Sequence, residues 1–199
     1  MSQKPRDLTA LLGSRICHDL ISPLGAIGNG VELLEMSNAA NSAEVALIRD
    51  SVTNANAKVR FFRVAFGDSA HAQQMRGREI GAILKEYSDQ ARVDITWTST
   101  EDPMRREAKL AFLLIQCLET TMPFGGKITC SCESGNWTLH AQAERLKIDT
   151  NLWQLVSEDN PEIEVSAAQI QFVLVASALK DCGKILSAEF HDTEITITF

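Results

Sequence analysis

The sequence lacks any run approaching the ~18 consecutive apolar residues that suggest a membrane span, so no membrane partner is expected. Its first residues, MSQKPRDLTALLG, also lack the basic-then-apolar order of a secretory signal. Basic residues are in deficit, with 19 Lys and Arg against 26 Asp and Glu and a net charge of −7. That balance argues against a nucleic-acid partner held through its phosphates, and otherwise serves solubility. Cysteine pairs are missing too. Cys17, Cys117, Cys130, Cys132 and Cys182 are odd in number and form no CxxC, as expected of reduced thiols in the cytoplasm. Cys130 and Cys132 alternate along an expected strand and read as small buried hydrophobes, so no metal is expected. There is no internal repeat and no low-complexity segment.

What is present suffices for one or two compact domains: 199 residues, 45% of them hydrophobic. Residues 1–70 read as a helical hairpin. Leu20, Leu24, Ile27, Val31 and Leu34 recur at spacings of four and three, a heptad seam. Ser37, Asn38, Asn41 and Ser42 break the pattern and offer a cap for a second helix. There Val45, Ile48, Val52, Ala55, Val59, Phe62 and Phe66 continue at spacings of three and four. Two such helices have no third layer on which to bury so long a stripe. Pairing two hairpins into a four-helix bundle buries it in a homodimer, with Leu24, Val31, Val52, Val59 and Phe62 at the interface. Packing against the rest of the chain is the competing solution.

Residues 76–199 change character. REIGAILKEYSD reads as a helix and VDITWTS as a strand, and Pro103 precedes a long helix to about Met122. Gly125-Gly126 marks a turn into KITCSCES, and Gly135-Asn136 a hairpin turn into WTLHAQAE. A helix over 167–180 stops at Gly183, and KILSAEF and EITITF close the chain around an Asp192-Thr193 turn. The fold class is α+β: a helical hairpin followed by an α/β sandwich with helices on one face of a mostly antiparallel sheet.

The one stretch that carries chemistry is Cys17-His18-Asp19-Leu20-Ile21-Ser22-Pro23-Leu24. His18 precedes a seam position by two residues, about 200° of helix rotation, and therefore faces solvent. The Asp19 carboxylate can hold one ring nitrogen through its proton and leave the other as an unprotonated nucleophile. Pro23 inside a helix costs about 3 kcal/mol, and a bend just after an exposed histidine is a reason to accept it.

HDLISPL resembles the H-box of sensor histidine kinases, the hairpin resembles their dimerisation and phosphotransfer domain, and the remainder resembles their ATP-binding domain. The resemblance implies that His18 accepts phosphate, that Asp19 orients it and serves acid–base chemistry, and that Ser22 occupies a water-positioning place. The chain departs from the kinases where ATP would bind. Gln116 and Thr120 stand near the place of the Mg²⁺-binding Asn, and no glycine occurs between Gly135 and Gly183 to form a phosphate loop.

This layout resembles the ChpT-type histidine phosphotransferases, whose ATP-binding domain is degenerate. Membership implies no cofactor of its own and no ATP, with Mg²⁺ supplied by the partner. The implied partners are receiver domains of a hybrid histidine kinase and of response regulators, in cell-cycle control. Docking is expected around His18, on Ser14, Arg15, Ile21, Ser22 and Gly25, with Arg60 and Phe61 alongside from the second helix. An ATP-dependent kinase core and a non-catalytic dimeric scaffold stay open as rival readings. Nucleotide binding separates the first, and reaction with a phosphorylated receiver separates the second.

Overall fold

The computed structural model describes residues 7–37, 42–68, 73–157, 160 and 162–199. Asn38, Asn41, the expected domain boundary at residue 70 and His71 lie outside the described residues. Helix α1 (Leu8–Ser37) starts where Asp7 Oδ1 accepts the Ala10 N–H at 3.0 Å, and it runs unbroken through Pro23. Helix α2 (Ser42–Ala65) packs along it as the heptads require. Gly30 permits the close approach: a Cβ there would stand 2.6 Å from Ile48 Cγ1.

The heptad seam divides. Leu20, Ile27 and Leu34 of α1 and Ile48 and Ala55 of α2 are half-buried, whereas Leu24, Val31, Val45, Val52 and Val59 stay exposed. Alternate seam positions thus turn inward, and the others form an open apolar stripe. Two expectations need correction at the end of α2. Phe61, expected on the docking surface, is 0% exposed, and Phe62, expected at the dimer seam, is buried within its own chain. The reason is that this end of α2 lies on two further helices, α3 (Gly77–Ser88) and α4 (Arg105–Thr121). The Phe61 ring stacks on Tyr87 at 4.1 Å between centroids and meets Phe112 at 4.7 Å. Packing against the rest of the chain, the competing solution, prevails for this last part of the seam.

Strands β1 (Val93–Trp97), β2 (Gly126–Glu133), β3 (Asn136–Gln142), β4 (Ser187–Phe190) and β5 (Glu194–Thr198) form one sheet in the order β1-β2-β3-β5-β4. β1 and β2 are parallel, joined through α4, and every other pair is antiparallel. The β2–β3 turn places Ser134 (φ 53°) and Gly135 (φ 76°) at its centre, one residue earlier than the sequence suggests. Alternation buries Cys130 and Cys132 of β2, Leu139 and Ala141 of β3, and Ile195 and Ile197 of β5 in a single core. Burial raises both β2 thiols, Cys130 to about 12 and Cys132 to about 11, as fits inert packing residues.

Helix α4 is buried without a break from Leu110 to Leu118 because it is enclosed, with α2 on one side and helix α6 (Ile170–Cys182) and the sheet on others. A 3₁₀ turn (Ala167–Gln169) with a Ser166–Gln169 capping box leads into α6, and Gly183 at φ 64° ends it. Helix α5 (Thr150–Ser157) lies against α6, with Trp153 edge-on to Phe172. At eight residues it is too short for its periodicity to stand out in the sequence.

Candidate functional site

Helix α1 carries the site on its outer face. The His18 side chain is 83% exposed, and its Nδ1 lies 3.2 Å from Asp19 Oδ1. With the proton on Nδ1, Nε2 points its lone pair to solvent. Asp19 is held from three sides. Its Oδ2 meets Arg15 Nε at 2.7 Å, one helical turn back, its Oδ1 faces His18, and its backbone carbonyl accepts from Lys58 Nζ at 3.0 Å.

Arg15 therefore departs from the docking role expected of it. Its side chain is largely buried, and Nη1 donates to the Ala168 carbonyl at 2.8 Å, which ties α1 to the turn before α6. The guanidinium braces Asp19 and is not a free cation. Arg60 remains on the surface, with Nη1 on both oxygens of Glu86 from α3. Such an exposed pair contributes about 0.2–1 kcal/mol. Around His18 the remaining expected face is open: Ser14, Ile21, Ser22 and Gly25 are exposed, Ile21 at 66%. A Cβ at Gly25 would meet nothing within 4 Å.

Sequence reasoning missed three residues here. Lys58 was within reach, because the hairpin register that brings Gly30 to Ile48 also brings α2 alongside Asp19 at this point. Tyr87 and Glu119 carried no local signal. Glu119 on α4 is partly buried and accepts from Tyr87 Oη at 3.0 Å. Burial pushes its carboxyl from 4.5 up to about 7, against the opposing help of Tyr87 and of the Arg15 and Lys58 charges. Tyr87 is raised well above its ordinary value, first by burial and then by Glu119.

Among the described residues, no cluster of His, Cys, Asp and Glu is arranged to hold a metal ion, and no helix is long and apolar enough to cross a membrane. Gln116, near the place of the kinase Asn, is 1% exposed inside α4, which packs on α6. Its amide oxygen and nitrogen meet no protein partner.

A helical hairpin with an exposed, carboxylate-held histidine on an α+β body defines a class, and comparison with known proteins agrees with it. The histidine phosphotransferase C-terminal domain family matches residues 77–194. The protein phosphotransferase ChpT of Brucella abortus (strain 2308) is 31% identical over 97% of this chain and 94% of its own length. The chain belongs to the histidine phosphotransferase family. The solved structure of a bacterial phosphotransferase overlays with a TM-score of 0.82 at 28% identity, covering 100% of this chain and 98% of that one. The histidine kinase AdeS of Acinetobacter baumannii overlays with a TM-score of 0.44 at 14% identity, over 91% of this chain and 95% of that one.

Proposed function

We propose that His18 relays a phosphoryl group from the receiver domain of a hybrid histidine kinase to receiver aspartates of response regulators, in the cytoplasm and without ATP. The observation that carries this reading is His18 itself, open to solvent with Nδ1 against Asp19 and Nε2 free. In the forward step Nε2 attacks the phosphorus of the receiver's aspartyl phosphate. The N–P bond forms as the bond to the aspartate oxygen breaks, and the freed carboxylate stays on the receiver with its Mg²⁺. The proton on Nδ1 remains there, and Asp19 stabilises the positive charge that develops on the ring. The receiver supplies metal and charge neutralisation, while this chain supplies an oriented nucleophile.

Two observations support a reaction without nucleotide. No glycine lies between Gly135 and Gly183 to bring backbone N–H groups to a phosphate chain. Gln116 is enclosed within α4, whereas a metal-binding side chain at that place must face an open cleft. The exposed stripe of Leu24, Val31, Val52 and Val59 supports a homodimer through α1 and α2, continued by Val45. Ser14, Ile21, Ser22 and Gly25 form the face on which a receiver docks, with Arg60 at its border.

The test is labelling by a panel of receivers charged with labelled acetyl phosphate. The wild-type chain takes up acid-labile, base-stable label, and His18→Gln takes up none while keeping its fold. Label that persists in His18→Gln, or wild-type label from ATP alone, refutes the reading.

A further inference from the structure

We propose that Lys58 is a positioning residue for His18. It gives the Asp19 carbonyl the hydrogen bond that Pro23 withholds, and so fixes the backbone from which the Asp19 carboxylate reaches the imidazole. The inference rests on the phosphotransfer reading of His18 and deepens it.

In an α-helix each N–H donates to the carbonyl four residues back, so the Asp19 carbonyl falls to residue 23. That residue is a buried proline inside α1, which has no N–H and whose ring crowds the same carbonyl. Helix α1 nevertheless runs through it from Leu8 to Ser37. The missing donor comes from the other helix of the hairpin: Lys58 Nζ, on α2, donates to the Asp19 carbonyl at 3.0 Å. The charge on the ammonium makes this bond stronger than the neutral peptide bond it replaces.

The bond matters because Asp19 orients His18. Arg15 Nε holds Oδ2 at 2.7 Å and Lys58 holds the main chain, which leaves Oδ1 directed at His18 Nδ1, 3.2 Å away. Without Lys58 the peptide that joins Asp19 to Leu20 is free to turn, and the carboxylate turns with it. A cavity of about 250 Å³, lined by Pro23, Ser51, Asn54, Lys58 and Gln90 among others, opens to solvent beside this bond. Water entering there solvates the freed carbonyl without fixing its direction. The bond therefore serves geometry at the site more than stability, and the fold outlasts its loss.

The experiment measures transfer from one charged receiver, over a range of receiver concentrations, to the wild type, Lys58→Met, Pro23→Ala and the double variant. Pro23→Ala returns an N–H to position 23, so the helix itself then holds the Asp19 carbonyl. With Pro23 in place, Lys58→Met lowers the saturating rate about tenfold through a displaced nucleophile and leaves half-saturation unchanged. In the Pro23→Ala background the same substitution costs less than about twofold. An equal loss in both backgrounds, no loss in either, or a change in half-saturation alone overturns the inference. Lys58→Gln, shorter and neutral, takes the place of Lys58→Met in both backgrounds if the latter loses cooperative unfolding.

A second measurement needs no receiver. The ring nitrogen resonances of His18 report which nitrogen carries the proton, and Asp19 holds it on Nδ1 in the wild type. Lys58→Met moves them toward those of an unconstrained imidazole, and adding Pro23→Ala moves them back. Resonances unmoved by Lys58→Met refute the positioning role. A wild-type chain that accepts no phosphate from any receiver overturns the phosphotransfer reading instead, and the ring resonances then decide the role of Lys58 alone.

Discussion

Glu119→Gln isolates the energetic consequence of burying a carboxyl beneath the site. The amide keeps an oxygen to accept from Tyr87 Oη and loses only the charge. An unfolded glutamate releases its proton near 4.5, whereas Glu119 retains it to about 7 in the native state. Between those pH values the native state binds the extra proton, so wild-type stability falls as pH rises and levels off above about 7. At about 1.4 kcal/mol per pH unit, the loss between about pH 5 and about pH 8 is about 2 to 3 kcal/mol. Glu119→Gln has no such loss. Urea unfolding of both proteins at those two pH values reads the difference directly, and subtraction removes every other titrating group. The variant gains on the wild type by that amount at the higher pH. A difference that stays constant with pH refutes the account of Glu119 as a carboxyl destabilised by burial.

Phe61→Ala empties a site enclosed by Tyr87 and Phe112 and costs about 3–5 kcal/mol, read as a lower urea midpoint. A loss below about 1 kcal/mol would contradict the burial. Val52→Asp places a charge on the exposed stripe, so the chain keeps its cooperative unfolding while light scattering reports a monomer in place of a dimer. A wild-type monomer at micromolar concentration would refute pairing through that stripe.

The hairpin, the succession of strands along the chain and the exposed His18 were legible in the sequence because each depends on local periodicity or on one helix turn. Rotation of about 200° from the seam was enough to put His18 outside, where it stands. The end of α2 was not legible. Phe62 continues the heptad without fault, yet its register says only that it is buried, not by which partner. Deciding that requires knowing where α3 and α4 lie, and no pattern within residues 42–68 contains it. Phe61 fails for the same reason, since a residue off the hairpin seam becomes core once another helix covers that side. Arg15 looked like surface charge because its partner Asp19, one turn on, was assigned wholly to His18. Glu119 was hidden more deeply. Its neighbours Arg15, Lys58 and Tyr87 are 104, 61 and 32 residues away, and only the tertiary fold joins them.

These inward turns change what the face around His18 offers a partner. Arg15 faces Asp19 and the Ala168 carbonyl, Lys58 faces the Asp19 carbonyl, and Arg60 is paired with Glu86. These three cations of the described residues are thus occupied within the chain. What remains exposed on α1 near His18, apart from Leu24 of the proposed dimer stripe, is small or apolar: Ser14, Cys17, Ile21, Ser22 and Gly25. Recognition on the proposed docking face then depends on shape and apolar contact more than on charge steering. Gly25 leaves open space on that face, since a Cβ there would meet nothing within 4 Å. The Asp19 carboxylate beside the imidazole is shared between His18 and Arg15. Partial burial of Glu119 against Tyr87 lowers stability at high pH.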